Sequence, residues 1–383
     1  VVSITGPKVV ELQRRAVARL GFDEALVAVK AVGVCATDVE LFDGTMGYYH
    51  SGLSSFPLVP GHEWAGEILQ LGLAAPQHLR VGQRVIGEHC TGCLPQTSAE
   101  TLRCKICCQP GGLLRCPQRK ETGFFGREGA FQTVMRFPAS QLHVLPPGTP
   151  WNLAVLAEPL ATACKAVRLA NIDYLGPKNG TPPRVVVVGD GAVGLLLLQV
   201  LRRGQSAPRV FLVGAQPTRL KQAEALGAEM AWNVAEPGLH DALAKEPPQL
   251  VLEAAGTPDA VKLAVSLVAP GGTVILLGLS GNKLAELCTD DVVLRQLTLR
   301  GSLSSEPEDW QTVQEILANG KLSSVVTHVF EGLEKYQEAI ENVRKPPEGM
   351  IKIMVTPNAT TSRKRTREEK WKESEKSDAK LHS

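Results

Sequence analysis

Long apolar runs, a leader pattern and an excess of charge are all missing from this chain, and each absence removes an explanation. No stretch reaches the roughly 20 apolar residues of a membrane-spanning helix, so no membrane partner is expected. The first residues lack the charged, apolar and small-residue succession of a signal peptide, which sets the expectation of a cytoplasmic protein. The chain opens on Val1 rather than Met, so the natural protein is expected to start further upstream. With 41 Lys and Arg against 39 Asp and Glu, the formal net charge is +2, which argues against nucleic acid or another polyanion as partner. The bulk is ordinary: 383 residues, 44% of them hydrophobic, allow two or three domains and a sizeable core. Cysteine is plentiful. Six of the nine, Cys90, Cys93, Cys104, Cys107, Cys108 and Cys116, fall in one short window. Without a secretory leader such a cluster reads as metal binding rather than a disulfide framework.

The pattern along the chain changes near residue 156. Before it, short β patterns broken by Gly and Pro dominate, with strands predicted at 27–32, 66–69 and 84–87. After it, a helix at 160–170 leads into strands at 184–188, 210–213, 250–255 and 273–277. Helices are predicted between them at 192–203, 218–226 and 258–268. The run Arg184-Val185-Val186-Val187-Val188 is almost wholly apolar, as a parallel strand buried on both faces requires. Alternation of this kind predicts an α/β fold with a doubly wound parallel sheet. A mixed pattern returns at 325–355 and ends on a strand at 351–355. From Pro357 the chain is charged and nearly free of apolar residues, and disorder is predicted. The basic run 363–367 suggests a nuclear address, but a solvated tail without that role is the plainer reading.

Four residues carry metal-ligand chemistry in suggestive places. Cys35 ends the alternating stretch 25–34, His62 and Glu63 lie in Pro60-Gly61-His62-Glu63-Trp64, and Glu158 lies in Ala157-Glu158-Pro159-Leu160. Thiolate, imidazole and carboxylate are the donors of a catalytic zinc site, which keeps one position open. Singly, each has a plainer reading as a core cysteine, a turn histidine or a helix-start carboxylate favoured by the helix dipole.

Gly189-Asp190-Gly191-Ala192-Val193-Gly194 follows a predicted strand and opens a predicted helix, the context that a dinucleotide fingerprint needs. Gly189 serves the tight turn, Gly191 the approach of the pyrophosphate and Gly194 helix packing, with Val193 beside the phosphate at the helix start. An acid gripping the adenosine ribose is expected about 20 residues on, where the chain has Gly214. Gly214 leaves room for a 2′-phosphate and Arg219 is placed to neutralise it, so NADP is favoured over NAD.

Taken together and in this order, these motifs resemble the zinc-dependent medium-chain dehydrogenases. The likeness is to the branch holding sorbitol, threonine and aminocyclitol (2-deoxy-scyllo-inosamine) dehydrogenases. The resemblance runs over residues 20–356 and rests on Gly33-Val34-Cys35-Ala36-Thr37-Asp38, the Gly61-His62-Glu63 block, Val81-Gly82-Gln83-Arg84-Val85, the Glu158-Pro159-Leu160 block and the glycine fingerprint. It implies a mostly β, GroES-like catalytic domain at 1–157, an NAD(P)-binding Rossmann domain at 158–300, a return to the catalytic domain at 301–356 and a charged tail at 357–383. It implies a catalytic zinc on Cys35 and His62, completed by Glu63 or Glu158, and a proton relay through Thr37, whose plainer role is a helix cap. The chemistry is self-consistent: zinc lowers the pKa of an alcohol, Thr37 passes the proton on and the nicotinamide takes the hydride.

The resemblance has departures. Threonine and sorbitol dehydrogenases usually carry a His five positions after the zinc Cys, where this chain has Glu40, and Ala36 replaces a more usual Gly. The family's structural-zinc spacing, C-x2-C-x2-C-x7-C, is interrupted. The best match is Cys93, Cys104, Cys107 and Cys116, with 94–103 inserted and Cys108 as a substitute for Cys107. Cys90 with Cys93 is a second candidate knuckle, and a lobe that has lost its metal is the alternative. The expected substrate is a small polyol, sugar or cyclitol, with Glu40, Tyr48, Tyr49, His50 and Trp64 as candidate pocket walls and a homo-oligomer, dimer or tetramer, as the assembly. Rival readings are a zinc-free quinone or enone reductase of the same superfamily and a non-catalytic NADPH-binding regulatory protein.

Overall fold

A computed structural model describes residues 1–93, 104–107, 109, 111–171, 181–203 and 207–357. Cys108, the inserted segment 94–103 and the tail at 358–383 lie outside the described residues.

Six parallel strands form one sheet. Their order is Met230–Asn233, Arg209–Gly214, Arg184–Val188, Leu250–Glu253, Thr273–Leu276 and Thr298–Gly301. The apolar run at 184–188 is explained by its two buried faces. Val185 and Val187 pack with Leu195, Leu197 and Leu212 in one core cluster, whereas Val186 and Val188 pack with Val213, Val251, Leu243 and Ala264 in another. Helix Ala192–Leu201 lies over the first face with Ala157–Ala170, and Pro258–Leu267 lies over the second. Burying a Leu or Val of this kind contributes about 2 kcal/mol, so Leu197→Ala, at 0% exposure, is expected to cost about 3 kcal/mol. The two edge strands, Met230–Asn233 and Thr298–Gly301, carry exposed residues and so show no apolar run by which to predict them.

A second sheet of seven strands is built largely from the first part of the chain. Its order is Leu142–Val144, Arg84–Gly87, Trp64–Leu71, Glu24–Val34, Lys352–Thr356 and Val326–Glu331, with Val134–Pro138 also paired to Glu24–Val34. The far end of the chain therefore returns to the sheet built from its first part: Ile353 pairs with Val34 and Val355 with Val32, antiparallel. The predicted strand at 84–87 matches, and the one at 66–69 extends to Trp64–Leu71. The helix predicted from residue 160 begins at Ala157, which places Glu158 in its first turn.

Candidate active site

Strand register brings the site together. Val32 faces Trp64 in the antiparallel pair, so the residues after Val34 meet those before Trp64. Ile353 faces Val34, so Lys352 arrives at the same point from the other side. Cys35 Sγ then lies 3.4 Å from His62 Nε2, and His62 Nε2 lies 3.9 Å from Glu63 Oε1. Donor atoms of Cys35, His62 and Glu63 all fall within 4.8 Å of one another. A thiolate and an imidazole sharing a tetrahedral zinc sit about 3.5 Å apart, so the pair fits that ion as it stands. The mixed sulfur, nitrogen and oxygen set suits zinc also in its chemistry. Glu158 lines the same cleft but stands outside the trio, with Thr162 Oγ1 donating to its Oε1 at 3.5 Å.

The surroundings hold these groups in place. Asp38 accepts from the Cys35 backbone N–H at 2.9 Å and lies 3.6 Å from His62 Nδ1. Cys35 is the N-cap of helix Ala36–Asp43, so Thr37 does not cap it and instead faces the cleft. Lys352 Nζ donates to Glu63 Oε1 at 2.5 Å, both side chains being buried. A Cβ on Gly33 would fall 2.0 Å from Glu63 Oε2, so only glycine lets that carboxylate cross the strand. Burial pulls the His62 pKa down, but Cys35 and Asp38 reverse this and leave it well above its ordinary value. Burial pushes the Glu63 carboxyl up, against the pull of Lys352 and His62. Burial also works against the Lys352 ammonium, and Glu63 more than restores it.

The trio opens into a cleft of about 890 Å³ that runs on to the glycine turn and the start of helix Ala192–Leu201. This end lies where the parallel sheet reverses strand order, between Arg184–Val188 and Leu250–Glu253, the position at which such sheets bind ligands. Gly189 has φ of 128°, and a Cβ there would meet the Ala254 backbone at 2.9 Å, whereas the space beside Gly191 is open. A Cβ on Gly194 would strike Gly189 O at 1.9 Å. Tight turn, open approach and close helix packing are thus each present, and no side chain caps the helix N-terminus. These features fit a dinucleotide pyrophosphate.

Two contacts bear on the NADP reading of Gly214 and Arg219, the latter of which lines the cleft. The Asp190 side chain stands beside Gly214: a Cβ there would meet Asp190 Cβ at 2.5 Å and Cγ at 2.7 Å. Arg219 is already engaged, donating to Met350 O at 2.8 Å and lying 3.6 Å from Asp190 Oδ1. The pocket-wall expectation also divides. Glu40 and Tyr48 line the cleft. Trp64 instead packs edge-on against Phe137 in the core, Tyr49 stacks on Phe56, and His50 is exposed. Sequence reasoning missed His89, Glu121 and Lys352. Glu121 lies 3.3 Å from the Tyr48 hydroxyl, 3.2 Å from Arg119 Nε and 3.6 Å from His89 Nε2, and both His89 and Glu121 line the cleft. Only Lys352 left a signal, as a charge inside the apolar strand Ile351-Lys352-Ile353.

A second donor cluster stands apart. The sulfurs of Cys93, Cys104, Cys107 and Cys116 fall within 4.8 Å of one another, with Cys93 to Cys107 at 3.4 Å and Cys104 to Cys116 at 3.9 Å. Sulfurs around a tetrahedral zinc are about 3.8 Å apart, so this set also fits the ion. Backbone N–H groups of Cys93, Cys104 and Cys107 point at Cys116, Cys93 and Cys104 sulfurs. Donation from the Cys107 N–H lowers the Cys104 thiol to about 7, and burial raises Cys107. Cys90 is not part of it. Its thiol donates to Ser304 Oγ at 3.3 Å, and its metal-type neighbours are His89 and Glu121. The substitute proposed for Cys107, Cys108, lies outside the described residues.

Two family patterns match the chain: "Alcohol dehydrogenase GroES-like domain" over residues 21–147 and "Zinc-binding dehydrogenase" over 192–319. D-arabitol-phosphate dehydrogenase of Enterococcus avium is 27% identical, over 88% of this chain and 90% of that protein. An L-threonine 3-dehydrogenase of Caldanaerobacter subterraneus is 26% identical, over 89% and 94%. Among solved structures, a putative zinc-binding dehydrogenase from Sinorhizobium meliloti bound to NADP superposes with a TM-score of 0.80 at 25% identity, covering 93% of this chain and 98% of that one. The chain belongs to the zinc-dependent medium-chain dehydrogenases, with a GroES-like part and a Rossmann-type dinucleotide-binding part. Zinc and a nicotinamide dinucleotide are the cofactors of that family.

Proposed function

We propose that this protein oxidises a secondary hydroxyl of a small polyol, sugar or cyclitol to a ketone, passing hydride to a nicotinamide dinucleotide, and runs the reverse reaction. One observation carries the reading: Cys35, His62 and Glu63 converge within 4.8 Å in the same cleft onto which the Gly189 to Gly194 turn opens. The relatives add support, one being named for a polyol phosphate and another for threonine. Glu40, where the sorbitol and threonine enzymes usually carry a His, weighs against threonine itself.

Cys35, His62 and Glu63 would hold the zinc, with Glu158 as a further carboxylate of the same cleft. Bound zinc supplies Lewis-acid polarisation of the substrate hydroxyl, and the nicotinamide supplies the hydride acceptor. Thr37, in the first turn beside Cys35, relays the hydroxyl proton outward. Glu40, Tyr48, His89 and Glu121 form a polar wall suited to the further hydroxyls of a polyol. Lys352 offsets the Glu63 charge, and Asp38 orients His62. The four-cysteine lobe would hold a structural zinc. Residues 1–157 and 301–356 form the catalytic domain, 158–300 the coenzyme domain, and two or four copies assemble.

A zinc-free reductase of the same superfamily would have no use for the assembled trio. A non-catalytic dinucleotide binder would have none for Thr37. The test is to purify the full chain, measure its zinc and screen polyols, sugars and cyclitols with NAD and NADP. Zinc together with polyol-dependent reduction of the coenzyme is the expected outcome; no zinc and no turnover would sink the proposal.

A further inference from the structure

The ribose-reading acid looked for at residue 214 is absent from the strand end, yet a carboxylate stands there all the same. It comes from Asp190, between the first two glycines of the fingerprint. Asp190 Oδ2 accepts from the backbone N–H groups of Ala215 at 2.9 Å and Gln216 at 2.7 Å. Those residues follow Gly214, the end of the second strand of the fingerprint unit. A Cβ placed on Gly214 would lie 2.7 Å from Asp190 Cγ and from Oδ2. An acid at 214 would therefore have to begin where the Asp190 carboxylate already sits. Glycine at 214 is the consequence, since any side chain would collide with Asp190.

The rest of the corner agrees. Oδ2 is committed to two backbone donors, which fixes the rotamer, and Oδ1 is turned toward Arg219, a cleft-lining residue. The Arg219 guanidinium is held from both sides, by Met350 O through Nε and by Asp190 through Nη1. A 2′-phosphate entering here would face a fixed carboxylate and an arginine whose charge is already compensated. A ribose bearing free hydroxyls would meet an oriented acceptor in Oδ1. Like charges in a half-buried corner discriminate strongly against the wrong ligand.

We infer that Asp190 replaces the missing strand-end acid and reads the adenosine ribose, so that the cleft selects the unphosphorylated dinucleotide, NAD(H), over NADP(H). This rests on the dinucleotide reading of the cleft given above. Asp190 is a specificity-determining residue in this scheme, and Arg219 is its partner rather than a phosphate ligand.

Equilibrium binding of NADH and NADPH to the full chain, read by nicotinamide fluorescence, tests it without turnover. The wild type is expected to bind NADH tighter than NADPH by about tenfold or more. Asp190→Asn keeps an oxygen for the two backbone donors and removes the charge; it is expected to weaken NADH, strengthen NADPH and so narrow or reverse the ratio. Asp190→Ser serves the same purpose if the asparagine variant does not fold. The inference is overturned if the wild type binds NADPH as tightly as NADH. It is overturned equally if either variant weakens both dinucleotides by one common factor, the mark of a purely structural role. Binding of neither dinucleotide to the wild type would overturn the dinucleotide reading itself, and this inference with it.

Discussion

Two of the three donor clusters among the described residues, the four-cysteine lobe and the Cys35, His62 and Glu63 pocket, are fitted to zinc and differ in almost everything else. The lobe cluster is four sulfurs, approached by backbone N–H groups of Cys93, Cys104 and Cys107. Its four sulfurs would complete a tetrahedral coordination, and none of the four lines the cleft. The pocket cluster has three unlike donors from two segments of chain, set against Asp38, Lys352 and Glu158, and it opens into the cleft that also holds the glycine turn. The difference teaches that ligand number alone does not make a catalytic centre. Unlike donors leave a position open, buried charges around them hold the geometry, and the cleft supplies a second reactant.

That contrast is breakable by substitution. Cys35→Ala removes a pocket donor and is expected to lower kcat/KM by at least about a thousandfold while the lobe retains its metal, as steady-state rates with metal analysis will show. Thr37→Val is expected to lower kcat by about a hundredfold with metal content unchanged, and Thr37→Ser to restore most of it. Lys352→Met leaves the Glu63 carboxylate buried without its partner, and a fall of about 10- to 100-fold in pocket zinc affinity is expected from chelator competition. The smallest effect lies at the coenzyme end. Glu253, fully buried, accepts from Ala255 N and Gly256 N at 2.8 and 2.7 Å, and burial raises its pKa above 4.5. A raised folded-state pKa favours folding fully below the unfolded value, and that contribution is lost as pH rises through the folded value. The Tm of Glu253→Gln relative to wild type is therefore expected to climb as pH rises above about 4; a constant difference would contradict it.

Much of this was legible before any coordinates. The parallel sheet announced itself because Arg184–Val188 is buried on both faces and so carries no alternation. Edge strands did not, since exposed residues such as Thr298 and Arg300 leave no apolar signature. Cys35, His62 and Glu63 were readable because each sits at the end or start of a strand whose register joins them. Lys352, His89 and Glu121 were not, because what gathers them is pairing between distant segments, such as Ile353 with Val34, on which local sequence is silent. Trp64 misled through proximity to His62: strand alternation and a Phe137 contact send it into the core. Gly214 is instructive in another way. Its bareness suggested room for a phosphate, but a Cβ there would meet Asp190, which lies 24 positions earlier in the chain and so invites no comparison with it.

The most direct test is zinc stoichiometry paired with turnover in the wild type and in Cys107→Ser. Two zincs per chain in the wild type are expected. In the variant one zinc is expected to remain, with lower thermal stability, by about 3 kcal/mol, and substantial turnover with a responsive alcohol. A variant that keeps its stability and loses turnover would reverse the assignment of the two centres, and a wild type without zinc would contradict both.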